Sequence, residues 1–259
     1  MPSEKRARQR ALRDKRRSRQ RRREQLIGLR RRTVTILTVI AIGVALFLLF
    51  RTIGSDPNPV EEASGQPVAC DGERPEPVTP MSFTQPEDIG LSPTAAVRAT
   101  LVTSCGDVTI EIDQAASPAT ANSFMFLAEQ GFYEGTLFHR VVEGFMVQGG
   151  DPTGTGTGGP GYRVQDEFPE EGFSYEEGVV AMANAGPGTT GSQFFIVSGP
   201  DAAQLSATFN VLGRVVSGME AVQLISEVDV VPDARGEVSK PRESVFIEDV
   251  SVEVVEPTG

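Results

Sequence analysis

Eighteen consecutive residues without a charge, Thr33 to Phe50 (TVTILTVIAIGVALFLLF), divide the 259-residue chain and constrain what lies on either side of them. A helix rising about 1.5 Å per residue makes this run about 27 Å long, enough to cross the hydrocarbon core of a bilayer. A buried core helix would carry a polar face, and this run shows none. A cleaved signal peptide would have a shorter lead and a small-x-small site beside the apolar run, whereas here the lead is long and Arg51 follows at once. Residues 33–50 are therefore read as one uncleaved transmembrane helix, and everything beyond them as a part that folds separately.

The charge distribution agrees with that division. Residues 1–32 hold fifteen Arg and Lys against Glu4, Asp14 and Glu24, a net of +12, while residues 52–259 hold eight basic against thirty-two acidic residues, a net of −24. Cations ahead of a membrane segment stay on the cytoplasmic side. Residues 1–32 are accordingly read as a basic cytoplasmic segment and the remainder as extracytoplasmic, in a single-pass protein of the cell membrane. Lipid is the expected partner of the N-terminal helix. The Arg-rich run, Arg21-Arg22-Arg23 and Arg30-Arg31-Arg32 included, suits anionic headgroups or, as the weaker alternative, RNA. The acidic main part repels phosphate backbones, which disfavours nucleic acid as its partner.

Eight of the eighteen prolines fall between residues 52 and 93, among Glu, Asp, Ser and Thr. That composition predicts extended, poorly packed chain, so residues 51–93 are read as a Pro-rich extracytoplasmic stalk. Val68-Ala69-Cys70 is discounted as a lipoprotein cleavage box because it lies about twenty residues past the apolar run and follows a proline. From about Ala95 the pattern changes to short β-rich runs: Val97 to Thr103, Asp107 to Ile112, Thr136 to Val142, Phe145 to Gln148, Val179 to Asn184, Phe194 to Ser198, Asn210 to Val216 and Val245 to Val254. Closely spaced strands of this kind make a barrel or a sandwich. Two helices are predicted. Ser117 caps the first and Pro118 opens it, with Ala121, Phe124, Leu127 and Ala128 as its apolar face and Gly131 as its end. The second runs from about Met219 to Glu227 and buries Ala221, Val222 and Ile225.

Side-chain chemistry excludes much. A single histidine, His139, provides no pair for a metal and no partner for a triad, so no metal site is expected. Cys70 and Cys105 are the only cysteines, and both fall on the outer side, where a disulfide persists; two free thiols are the alternative. A bond between them would close a loop of about 36 residues, worth about 4 kcal/mol in the chain-entropy view before any strain. Gly154-Thr-Gly-Thr-Gly-Gly159 satisfies a dinucleotide fingerprint on paper, but Pro160 and Gly161 follow where a helix must begin, so it is read as a surface loop.

Two stretches carry the chemistry: FHRVVEGFMVQGGD at 138–151 and MANAGPGTTGSQFFI at 182–196. Physically, the first places the fixed cation Arg140 near Phe145 and Met146, with the amide of Gln148 on a nearby face. The second adds Phe195, with Gln193 two residues earlier on the same face of its strand. An apolar cup with a few directed donors results. Together the stretches closely resemble the cyclophilin signature. The likeness extends from about residue 95 to 255, taking in the Ser117-Pro118 helix start and Leu212-Gly213-Arg214-Val215.

That resemblance implies a mainly β fold, a closed eight-stranded antiparallel β-barrel capped by two α-helices, over residues 94–256. It implies a peptidyl-prolyl cis/trans isomerase with no cofactor, acting on proline-containing polypeptides, here exported ones. Arg140 would be catalytic, donating to the prolyl nitrogen as the amide twists. Phe145, Met146, Phe195 and Leu205, with Phe209 beside them, would hold the proline ring. Gln148 would brace Arg140, and Ala183, Asn184 and Gln193 would line the subsite ahead of the proline. Two departures stand out: Gln204 occupies a position where many relatives carry Trp, and Phe209 one where many carry His. The missing indole predicts weak binding of cyclosporin. His139, on the opposite face from Arg140, is read as structural.

Overall fold

A computed structural model of the chain describes residues 65–76, 79–90, 92 and 95–255. The basic segment 1–32 and the apolar run 33–50 lie outside these residues, among which no helix is long and apolar enough to cross a membrane. The strands in chain order are β1 (Ala96–Thr103), β2 (Gly106–Ile112), β3 (Thr136–Leu137), β4 (Arg140–Val142), β5 (Met146–Gly149), β6 (Val179–Met182), β7 (Phe194–Val197), β8 (Val211–Ser217), β9 (Val230–Pro232), β10 (Val238–Pro241) and β11 (Phe246–Val255). The helices are α1 (Pro118–Glu129) and α2 (Met219–Ser226).

β1 shows why these segments become strands. Every second residue, Val97, Ala99, Leu101 and Thr103, is buried, which is the period of a pleated ribbon with one covered face. The turn into β2 is tied by Thr103, whose hydroxyl donates to the Gly106 carbonyl at 2.6 Å and accepts the Cys105 N–H at 3.1 Å. Gly106 takes φ +118° there, a conformation that L side chains rarely adopt.

Nine strands form one antiparallel sheet in the order β3-β11-β1-β2-β8-β6-β7-β5-β4, and β9 pairs with β10 as a separate hairpin. This corrects the expected closed eight-stranded barrel: the sheet curls but does not close. Its edges are β3 and β4, the two halves of the run Thr136–Val142 that the sequence pattern reads as one strand. Phe138 still donates to the Val245 carbonyl at 2.9 Å on the β11 side, but by Arg140 the chain has moved onto β5. Among the described residues only the isolated bridge between Leu137 and Asp151 pairs backbone across the seam. Strands of two and three residues are too short to complete a ladder. The β9–β10 hairpin, whose strands each end in a proline, Pro232 and Pro241, also lacks the alternation that would have marked it in the sequence.

The core lies between the curled sheet and both helices. It joins Val97, Ala99 and Leu101 of β1 and Val108 and Ile110 of β2 with Phe124 and Leu127 of α1 and Val222 and Ile225 of α2. The predicted faces of both helices are buried. The cap of α1 differs from expectation. Ser117 occupies the N-cap position without a side-chain cap, and the carboxylate of Glu167 takes its place, accepting from Ala119 N–H and Thr120 N–H at 2.9 Å each. A carboxylate satisfies two otherwise unpaired amides at the positive end of the helix dipole.

The described part of residues 51–93 is not a free stalk. The backbone of Ala69 donates to Ser244 at 3.0 Å, that of Ser244 donates to Pro67 at 2.8 Å, and Cys70 is joined to Cys105, with Cα atoms 5.1 Å apart. Further on, Phe83 stacks edge-on against Phe126 with ring centroids 5.1 Å apart, and its N–H donates to the Pro160 carbonyl at 2.7 Å. Met81, Phe83 and Ile89 pack against the main core. Averaged composition hides these three apolar anchors, because they follow neither a helical nor a strand period.

Candidate active site

The register of four neighbouring strands builds the site. Arg140 of β4 lies opposite Gln148 of β5, Gln148 opposite Phe195 of β7, and Phe195 opposite Ala181 of β6. Because side chains alternate across a strand, these four share one face. The adjacent row, Val141, Val147, Ile196 and Val180, turns to the other face and joins the main core. Met146, two residues before Gln148, returns to the site face.

A second, smaller apolar cluster forms the floor of the cup. Met146, Tyr175, Val179, Ala181, Phe195, Val197, Ala202 and Val211 are buried in it, and Phe145, Ala183, Leu205 and Phe209 pack at its edge. Phe195 and Phe209 meet perpendicular, with centroids 5.5 Å apart, and Tyr175 packs on Phe209 at 6.0 Å. Edge-to-face contacts of this kind hold rings in fixed positions. Leu205 follows a one-turn 3-10 helix, Pro200–Gln204, to whose Ala202 carbonyl it donates at 3.0 Å.

A line of polar groups runs along the rim. The Arg140 guanidinium donates through Nε to Glu237 Oε2 at 2.7 Å and through Nη2 to Glu237 Oε1 at 2.8 Å. Its Nη1 reaches Gln148 Oε1 at 3.3 Å and lies 3.9 Å from the Met146 sulfur. Gln148 Nε2 donates to Gln193 Oε1 at 2.9 Å, and Gln193 Nε2 donates to the Gly158 carbonyl at 2.9 Å. The Arg140 side chain keeps 24% of its surface exposed, so a ligand in the cup can reach it. Its hydrogen bonds to Glu237 hold that carboxyl below the ordinary carboxylate range.

The structure thus brings Arg140, Phe145, Met146, Gln148, Gln193, Phe195, Leu205, Phe209 and Ala183 to one cup. Asn184 joins two loops beside Ala183 and Phe209: its Nδ2 donates to the Thr208 carbonyl at 2.8 Å and its Oδ1 accepts the Gly186 N–H at 3.0 Å. His139 stands apart from the cup beside the glycine loop, with both ring nitrogens shielded from solvent. Burial lowers its pKa, against an opposing pull from the Asp151 charge, so the ring is neutral at neutral pH. The loop Gly154–Gly159 is held by Asp151, which accepts from Thr153 N–H at 2.7 Å and Gly158 N–H at 3.0 Å. No helix follows it, consistent with a surface loop and not a phosphate cradle.

Two residues of the site left no trace in the sequence. Tyr175 lies in an irregular segment, yet its hydroxyl donates to the Phe209 carbonyl at 2.8 Å and accepts the Phe209 N–H at 3.0 Å. Glu237, 97 residues from Arg140, arrives on the β9–β10 hairpin. Acidic residues are abundant in this chain, and nothing local distinguishes this one.

Comparison with known proteins agrees with this geometry. Residues 98–252 match the family described as cyclophilin type peptidyl-prolyl cis-trans isomerase/CLD. The chain is 43% identical over 171 residues to peptidyl-prolyl cis-trans isomerase B of Streptomyces anulatus, covering 60% of this chain and 95% of that one. It is 45% identical over 130 residues to peptidyl-prolyl cis-trans isomerase B of Bacillus subtilis, covering 50% and 90%. A crystal structure of a Cryptosporidium parvum cyclophilin type isomerase superposes with a TM-score of 0.55 at 29% identity, over 62% of this chain and 99% of that chain. These matches place the domain among the prolyl-peptide isomerases. The chain belongs to the cyclophilin family and is a cyclophilin-type peptidyl-prolyl cis-trans isomerase.

Proposed function

We propose that this domain isomerises X-Pro bonds in exported polypeptides, with Arg140 stabilising the twisted prolyl amide. The barrier of about 18–20 kcal/mol arises from resonance that is lost as the bond turns. A guanidinium donating to the prolyl nitrogen as it pyramidalises binds the twisted state better than either planar one. The observation that carries this reading is the cross-strand row Arg140–Gln148–Phe195, which sets a fixed donor beside an aromatic floor. Phe145, Met146, Phe195, Leu205 and Phe209 would hold the proline ring, and Ala183, Asn184 and Gln193 the residues before it. A related Cryptosporidium structure was determined in the presence of the dipeptide Ala-Pro, which supports a proline-containing ligand for this cup. The step breaks no σ bond and transfers no electrons, so its chemistry requires no cofactor.

Membrane anchoring through residues 33–50, a cytoplasmic segment 1–32 and an isomerase outside the cytoplasm belong to the same proposal. It is supported by the charge asymmetry and by a Cys70–Cys105 bond, which suits an oxidising compartment. Clients would then be chains whose slow X-Pro isomerisation limits folding after export. Gln204, next to Leu205 in the chain, and the lack of any Trp argue for weak cyclosporin binding.

The test is cis-to-trans isomerisation of an X-Pro peptide by the full chain in detergent micelles, wild type against Arg140→Ala. The expected result is a loss on the order of a hundredfold with the domain still folded. An unchanged rate would remove Arg140 from catalysis, and a wild-type rate no faster than buffer would leave a peptide-binding module.

A further inference from the structure

We propose that Glu237, carried by the β9–β10 hairpin, is a positioning residue for the isomerase reaction. It would hold Arg140 in the one orientation that presents its outer N–H edge to the substrate. This inference rests on the role assigned to Arg140 above. The carboxylate takes the side edge of the guanidinium, Nε and Nη2, at 2.7 and 2.8 Å. Five N–H donors in a rigid planar fork leave the end edge, Nη1 and Nη2, for other partners. Gln148 Oε1 meets that edge at Nη1, 3.3 Å away. With both edges of the fork engaged, neither rotation about its long side chain nor tilting out of plane is free.

The clamp is itself braced. Glu237 Oε2 accepts from the hydroxyl of Ser239 at 3.0 Å, and Ser239 is buried. The Glu237 backbone N–H donates to Asp233 Oδ1 at 2.9 Å, and the Asp233 N–H donates to the Glu237 carbonyl at 2.7 Å. Asp233 Oδ1 also accepts the Arg235 N–H at 2.8 Å, and Gly236, at φ +86°, completes the turn. A surface ion pair without such bracing contributes little. Here both partners are half-buried at the rim, and a peptide lying in the cup would remove more water from the pair. A guanidinium covered in that way without a counter-charge would be costly to desolvate, and Glu237 supplies one.

The experiment measures kcat and KM for an X-Pro peptide with the full chain carrying Glu237→Ala, Glu237→Gln, Arg140→Ala, and Arg140→Ala combined with Glu237→Ala. Glu237→Ala is expected to lower kcat about tenfold or more, the scale of a misplaced catalytic group, with KM within about threefold. Glu237→Gln keeps one acceptor oxygen and recovers part of the loss. In the Arg140→Ala background the Glu237 substitution changes nothing further, because Glu237 acts through Arg140. Wild-type kcat in both Glu237 variants overturns the proposal, as does an equal loss in both Arg140 backgrounds. Should Arg140→Ala alone leave the rate unchanged, the reading of Arg140 fails, and the positioning role falls with it.

Discussion

β5, β6 and β7 serve two regions of opposite character, and adjacent residues belong to different ones. Phe194 is fully buried among Phe124, Tyr133 and Phe138, in a core closed by both helices. Phe195, one residue on, faces the smaller cluster that floors the cup, where Phe145, Leu205 and Phe209 are only partly covered. Val147 and Gln148 divide in the same way, as do Ile196 and Val197. A strand in a curled sheet can therefore be held by one face while the other stays available to a ligand. Rigidity comes from the closed side and chemistry from the open one, and fixed register transmits the first to the second.

The strongest way to break that comparison is to truncate each ring in turn. Phe194→Ala should cost about 3–5 kcal/mol, read as a shift in the urea midpoint, because its neighbours cannot collapse into the hole; activity per folded molecule should persist. Phe195→Ala should cost less, about 2 kcal/mol, since the cup opens beside it, yet should lose most of its activity. The reverse ranking would show that the cup belongs to the main core.

A second test addresses the strap, the chain ahead of β1 that carries Cys70, Met81, Phe83 and Ile89 against the domain. Cys70 and Cys105 are 35 residues apart, and reducing their bond or making Cys105→Ser should destabilise the fold by about 2–4 kcal/mol. The strap packs on the closed side, against Ser244 and α1, so kcat/KM of the folded fraction should stay within about twofold. A larger fall in activity, with folding held by low temperature, would tie the strap to the cup.

The smallest expected effect sharpens the comparison from the open side. Tyr175→Phe removes the hydroxyl that bridges the N–H and carbonyl of Phe209 and should cost about 1 kcal/mol. Its signature should be a severalfold rise in KM as Phe209 loosens against Phe195, measured with the same X-Pro peptide. A stability loss with unchanged KM would make Tyr175 a core residue only.

Much of this is legible in the sequence. Eight β-rich runs correspond to nine of the strands, and the apolar faces read from the sequence are the faces both helices bury, because periods of two and 3.6 are written in neighbouring residues. The cup residues were legible because the two motifs sit on β4, β5 and β7, where local spacing and strand pairing coincide. The open seam was not, since Thr136–Val142 carries one alternating pattern through a bend that only its pairing partners reveal. Nor was the strap, whose prolines outnumber its anchors.

By itself the sequence determined the charge division, the apolar run, the strand alternation and the residue types of the two motifs at 138–151 and 182–196, all properties of residues close together in the chain. Tertiary structure alone decided that Glu237 meets Arg140, that Glu167 caps α1 in place of Ser117, and that Tyr175 holds Phe209. Each is a small set of hydrogen bonds between segments 34 to 97 residues apart. Such contacts have no period and no composition, so they exist only once the apolar core has placed the segments side by side.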